Sequence, residues 1–335
     1  MSDEGDALAD PGKEALRQSL QDAVDSFEAN RRANVAILYH PFNPVSVMEK
    51  DFHSSKGLSA SRTAIDPAEQ DPWEGLQGSI AILEGCHLLY RMRIGGFDRI
   101  LDALERMRED EGRLFITTWN IHAWNYLDNA IGISAHFPMQ IQMPDHSFKE
   151  MKERIMAKYE EGEIEFKDDE LPRQRRLLEW EVKRIRLLGK DRDLKCPRIE
   201  GRALRKELLR KKVYLSPEDK VFEQIHHLSG GNIGVAREIW MRSLHYPTIR
   251  PSDVMDACKK FSMSREEAFL AAQVLRKERM GITQLEEEIG DQVPVGGIVA
   301  ALRQKEIVRA DGGTLRIRAE NLKFTIEALA KHGMA

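Results

Sequence analysis

Apolar residues follow different rules in different parts of the chain. Near the start, Leu16, Leu20, Val24 and Phe27 recur every three or four positions, so one face of a helix is expected there. Residues 33–39 (ANVAILY) are a short apolar run with β-branched members, the pattern of a strand buried on both faces. Residues 40–52 (HPFNPVSVMEKDF) predict a proline-bearing turn followed by a helix, and 53–78, rich in Ser, Gly, Pro and Asp, a mobile surface segment. Two further strands are expected over 79–83 (SIAIL) and 113–118 (RLFITT), and a fourth over 138–143 (PMQIQM). Between the second and third lies an amphipathic helix over 97–108, with Ile100, Leu101, Leu104 and Met107 on one face. Beyond Ser147 the strand pattern stops, and 147–260 reads as almost wholly helical. The last stretch, 262–335, predicts three helices and then two short strands, 307–310 and 314–318, around the turn Asp311-Gly312-Gly313.

Apolar strands alternating with helices predict an α/β core with a parallel sheet covered on both faces. Three helices followed by a two-stranded hairpin is the winged-helix pattern. A chain of 335 residues has room for two or three such units, and its 32% of charged residues fits abundant surface helix. No apolar run approaches the roughly 18–20 residues of a membrane span, so none is expected. The acidic start has no apolar stretch of a secretory signal, and Cys86, Cys196 and Cys258 are too far apart for paired metal ligands or a disulfide framework. A cytoplasmic protein is expected.

In open α/β sheets, ligands sit outside the carboxyl ends of the strands. Glu84 directly follows the second apolar strand, and the third ends in Thr117-Thr118-Trp119-Asn120. The helical region contains LSGGNIGVAR over 228–237, a glycine-bounded helix start that ends at Arg237. Strand, acid, helix, strand, polar residue, strand, helical lid and winged helix, in that order over 30–335, resemble the AAA+/STAND group of P-loop NTPases. The resemblance implies ATP and Mg2+ as cofactors, Glu84 as the magnesium-holding acid, Thr118 or Asn120 facing a γ-phosphate, and Arg237 as a phosphate contact from the lid. It divides the chain into a polar lead with a helix (1–32), a P-loop-NTPase-like α/β domain (33–165), a basic helical segment and lid (166–260) and a winged helix (261–335).

The departure from that pattern bears on chemistry. A P-loop reads G-x-x-x-x-G-K-[ST], because glycine amides cradle the phosphates and the lysine meets their oxygens. With Ser46 in the Ser/Thr position, the loop Asn43-Pro44-Val45-Ser46 has valine for lysine and proline for glycine, losing a charge and an amide donor. Glu84 is followed by Gly85, so a second carboxylate to activate water is missing. Phosphoryl transfer lacks most of its positioning parts. In plainer terms, Glu84 and Asn120 close strands, and Asn120 caps the next helix. Glu84, Cys86 and His87 have no second pair at ligand spacing, so no metal site is expected and His87 is read as buried and hydrogen-bonded.

Charge is concentrated in 172–212, where sixteen Lys or Arg face six Asp or Glu. Apolar residues interleave with Arg173, Arg175, Arg176, Lys183, Arg184 and Arg186, predicting an amphipathic basic helix that grips nucleic-acid phosphates or offsets the acidic stretch at 160–170. In 262–335, eleven basic side chains balance eleven acidic ones. The candidate recognition helix opens on Val-Gly-Gly-Ile-Val, leaving Arg303 and Lys305 at its end and Arg309, Arg316 and Arg318 on the wing as DNA contacts. Docking of a protein partner suits this unit at least as well. The reading is a regulatory or scaffolding module with weak or no ATP hydrolysis, self-associating or bound to a protein partner. The alternatives are a DNA-binding protein and an active ATPase with an atypical P-loop.

Overall fold

The computed structural model describes residues 11–31, 34–43, 45, 47, 51–53, 55–66, 73, 76–169, 178–187, 190–199, 215–258, 260–289 and 293–334; for 11, 12, 178–187 and 190–199 it describes the backbone alone. Helix α1 (Pro11–Glu28) leads into β1 (Val35–Tyr39), followed by β2 (Ala60–Ala64), β3 (Ile80–Glu84), α2 (Asp98–Glu109), β4 (Leu114–Asn120), α3 (Ile121–Ile131) and β5 (Met139–Gln142). The five strands form one parallel sheet in the order β2-β3-β4-β1-β5. Successive strand residues alternate between its faces. Ala36, Leu38, Ala81, Leu83, Phe115 and Trp119 pack with α2 and α3 on one side. Val35, Ile37, Ile80, Ile82, Leu114 and Ile116 pack under α1 on the other. Double coverage is why these strands read as unbroken apolar runs.

β2 corrects the expectation of a mobile segment over 53–78. It is a polar edge strand (ASRTA), half-exposed and paired along one side only, so it needs no apolar run. The helix expected after the first turn falls largely on residues outside those described.

After β5 come α4 (Phe148–Met156), β6 (Glu165–Phe166), β7 (Leu178–Leu187) and β8 (Lys190–Ile199). The last two form an antiparallel pair, so the amphipathic helix expected in the basic segment is replaced by strands over 178–187 and 190–199. The reason is legible afterwards: Leu178, Trp180 and Val182 alternate with Glu179, Glu181 and Lys183, a period of two. Register sets Arg184 opposite Asp193 and Arg186 opposite Asp191. Arg173, Arg175 and Arg176 lie outside the described residues.

The chain continues through α5 (Pro217–Ser229), α6 (Ile233–Ser243), β9 (Thr248–Ile249), α7 (Pro251–Asp256) and α8 (Arg265–Lys277). It ends with β10 (Met280–Gly281), α9 (Ile282–Ile289), α10 (Val295–Gln304), β11 (Val308–Asp311), β12 (Thr314–Ile317) and α11 (Leu322–Ala330). The expected hairpin is joined by β10, giving an antiparallel sheet in the order β10-β12-β11. One apolar cluster runs from Met151 through Trp240 and Leu275 to Leu329, so the later helices and this small sheet share a core. Among the described residues, no helix is long and apolar enough to cross a membrane.

Candidate functional site

Connections leaving the adjacent strands β1 and β4 run in opposite directions across the sheet, the topology that opens a crevice at carboxyl ends. Tyr39 and Asn120 end these strands and pair in register. The chain turns sharply beyond Tyr39, and the Asn43 amide donates to the His40 carbonyl at 3.1 Å. The Pro41 carbonyl accepts from Asn232 Nδ2 at 2.7 Å. Phe42, at φ 67°, presses its carbonyl against α6: a Cβ added to Gly234 would lie 1.8 Å from that oxygen. Pro41 and Pro44 have no amide hydrogen, and that of Asn43 is engaged, so the turn has few donors for an anion.

The end of α8 closes the crevice from above. Asn120 caps α3 by accepting from the His122 amide at 2.9 Å, and its Nδ2 donates to the Leu275 carbonyl at 3.0 Å and to Glu278 Oε1 at 3.2 Å. The Tyr39 hydroxyl also bonds the Glu278 carboxylate. Burial raises the Glu278 pKa against the pull of these bonds; burial and the facing carboxylate raise that of Tyr39 well above the phenol range. Glu278 adopts φ 62°, left-handed for a side-chain-bearing residue, and this bend sets its carboxylate against the sheet.

Lys277 inserts beside it and is 3% exposed. Its ammonium donates to the carbonyls of His87, at 3.2 Å, and Tyr90, and lies 3.8 Å from the Tyr90 ring centre. Burial lowers its pKa to about 7, with Glu288 opposing and Arg91 and Arg99 reinforcing the shift. His87 accepts from the Asn120 amide at 3.3 Å, and burial, then Lys277, lowers its pKa to about 3, so the ring is neutral. Glu288 accepts from the Met92 amide at 3.0 Å. These pairings leave the buried groups largely satisfied, which stabilises a fixed joint between sheet and C-terminal unit.

Asn43, Val45, Thr118, Asn120 and Glu84 stand near these strand ends, while Ser46 lies outside the described residues. Glu84 Oε2 accepts from Arg62 of β2 at 2.7 Å, and its buried Oε1 has no hydrogen-bond partner. Thr118 Oγ1 accepts from the Gly85 amide at 3.0 Å. Among the described residues no group of three or more His, Cys, Asp or Glu could hold a metal ion. Arg237 is exposed on α6. Lys277 and Glu278 were missed because the sequence KERMG looks like an ordinary charged helix end, and Glu288 because it ends a run of three glutamates that reads as a solvated helix face. A cavity of about 610 Å³ at the opposite end of the sheet, lined by Phe27, Asn34, Ser79 and Arg113, lies away from the strand ends where ligands gather.

The candidate DNA contacts of the C-terminal unit are largely paired. Lys305 meets Glu267 at 2.7 Å, Arg309 meets Asp311 at 3.2 Å, and Arg318 lies 3.6 Å from Glu320 and 3.8 Å from Glu306. Arg303 is exposed. Lys183, Arg184 and Arg186 sit on β7.

No protein-family model matches the chain, and no curated protein matches it in sequence. Among solved structures it is similar to the RuvB Holliday junction branch migration motor of Thermotoga maritima, at 11% identity over 91% of each chain with a TM-score of 0.39. It is also similar to Cdc6p from Pyrobaculum aerophilum, at 14% identity over 100% of this chain and 99% of the other, with a TM-score of 0.38. The ORC1 protein of Aeropyrum pernix in complex with DNA matches at 13% identity over 100% and 96%, with a TM-score of 0.36. Such values are silent on ligand, activity and partner.

Proposed function

We propose that the chain is a regulatory or scaffolding module of the AAA+/STAND type that does not turn over ATP. In this reading the α/β domain (33–165) and helical lid (166–260) carry a winged helix (261–335) that docks a protein partner. The observation behind it is the Glu278 carboxylate, lodged between Tyr39 and Asn120 at the crevice. A nucleotide's phosphates seated between the ends of β1 and β4 would meet a carboxylate and a turn whose Pro41 and Phe42 carbonyls face α6, instead of a lysine and a row of amides. Mg-ATP does not fit these residues: magnesium needs several oxygens in octahedral array, and Glu84 offers one unpaired oxygen.

The test is turnover together with nucleoside-dependent binding. Purified protein should hydrolyse Mg-ATP no faster than buffer, and Mg-ATP should raise its melting temperature no more than tripolyphosphate at equal concentration. Turnover abolished by Glu84→Gln or Asn120→Ala would overturn the reading and restore the active ATPase.

A further inference from the structure

The small antiparallel sheet sets three arginines in one row. Arg309 pairs with Arg316, and Met280 pairs with Leu315, so Arg279, one residue before Met280, stands across from Arg316 on its other side. Residues opposed in register share a face. Here it is the polar face, since Leu315 and Ile317 are buried on the other. Arg309 is paired with Asp311. Arg279 and Arg316 form no ion pair with any described residue, and Arg316 Nε is buried without a hydrogen-bond partner. Burial, then the charges of Arg279 and Arg309, hold Arg316 below the ordinary arginine range against the opposing pull of Glu278 and Asp311.

Like charges opposed across strands destabilise a sheet unless something bridges them. Both arginines border a cavity of about 210 Å³ whose other walls include Pro41, Phe42, Leu275 and Glu278. Glu278 is the acid on this wall, and its carboxylate is bonded to Tyr39 and Asn120. Guanidinium forks match phosphate oxygens and hold them through two parallel bonds. We propose that Arg279 and Arg316 form a binding site for a small phosphate-bearing anion, one or two phosphate groups in size, in the cavity between the three-stranded sheet and the turn after β1. The cavity volume favours a free small anion over a polymer backbone. The site lies on the Arg279 and Arg316 side of Glu278, not between Tyr39 and Asn120, where the function proposed above leaves no place for a nucleotide. It requires no nucleoside, magnesium or turnover, so its test is separate from that of the proposed function.

The experiment is calorimetric titration of the full chain with inorganic pyrophosphate, without metal, alongside melting curves at ionic strength matched with sodium chloride. Pyrophosphate should raise the melting temperature beyond the chloride control. Arg279→Gln and Arg316→Gln should each weaken binding roughly tenfold, while Arg265→Gln, on exposed α8 surface, should leave it unchanged. Without anion, both variants should melt at or slightly above the wild-type temperature, which separates lost binding from misfolding. An equal pyrophosphate response in wild type and the double variant, or none in wild type at millimolar concentration, would overturn the site. So would arginine-dependent binding of an oligonucleotide without any of pyrophosphate.

Discussion

Three consecutive residues, 277 to 279, put charge to opposite uses on either side of one bend. Lys277 and Glu278 enter the sheet's crevice and meet carbonyls, a phenol, an amide and an aromatic face. Arg279, one residue later, lies beside Arg316, and neither forms a close ion pair with a described residue, although the Glu278 carboxylate pulls on both from a distance. A buried charge surrounded by partners belongs to the architecture, because removing any partner strands the rest. Neighbouring like charges without a close ion pair leave an electrostatic cost that a bound anion would offset. Burial alone would not separate the two cases; the inventory of partners does.

Breaking the joint should have the largest effect. Asn120→Ala removes the α3 cap and strands both the Leu275 carbonyl and Glu278, so denaturant unfolding should show a loss of about 3 kcal/mol. A loss below about 0.5 kcal/mol would mean that the joint is a surface contact.

A smaller effect comes through pH. His87 titrates near 3 when folded against 6.5 in the reference state, so the unfolded chain binds more protons between those values. Stability from this group is therefore full above pH 6.5 and falls as pH drops toward 3. Burial lowers His122 to about 4, so it adds to the same slope. From pH 6.5 to 5 the His87 share is on the order of 1–2 kcal/mol. His87→Asn, which keeps an acceptor without a titrating ring, should flatten the curve measured by denaturant midpoints; an unchanged slope would remove His87 from the account.

The smallest effect has the opposite sign. Arg279→Gln should stabilise the anion-free protein by about 0.5 kcal/mol at low salt, and the gain should shrink as salt screens the pair. Destabilisation instead would assign Arg279 to the architecture and erase the contrast.

Long apolar strands announced themselves because both faces of the sheet are covered, and Asn120 was recognisable as a helix cap from its place after RLFITTW. The plain reading of His87 also holds: it is 3% exposed and hydrogen-bonded. Elements with little apolar content escaped, as β2 shows with ASRTA, and β7 was misread because its alternation lies inside a dense run of charge. The joint was invisible for a different reason. Asn120 and Glu278 are 158 residues apart, and no local pattern records which distant chain end will cover a crevice.

The left-handed bend at Glu278 makes the joint easier to open than its bonds suggest. A residue with a Cβ held at φ 62° stores roughly 1 kcal/mol or more of backbone strain. While sheet and C-terminal unit are together, the bonds to Tyr39 and Asn120 hold that conformation in place. Once they part, residue 278 relaxes to an ordinary backbone angle and returns the stored energy, so separation costs that much less than the broken contacts alone. The bend therefore acts as a spring set against the latch it carries.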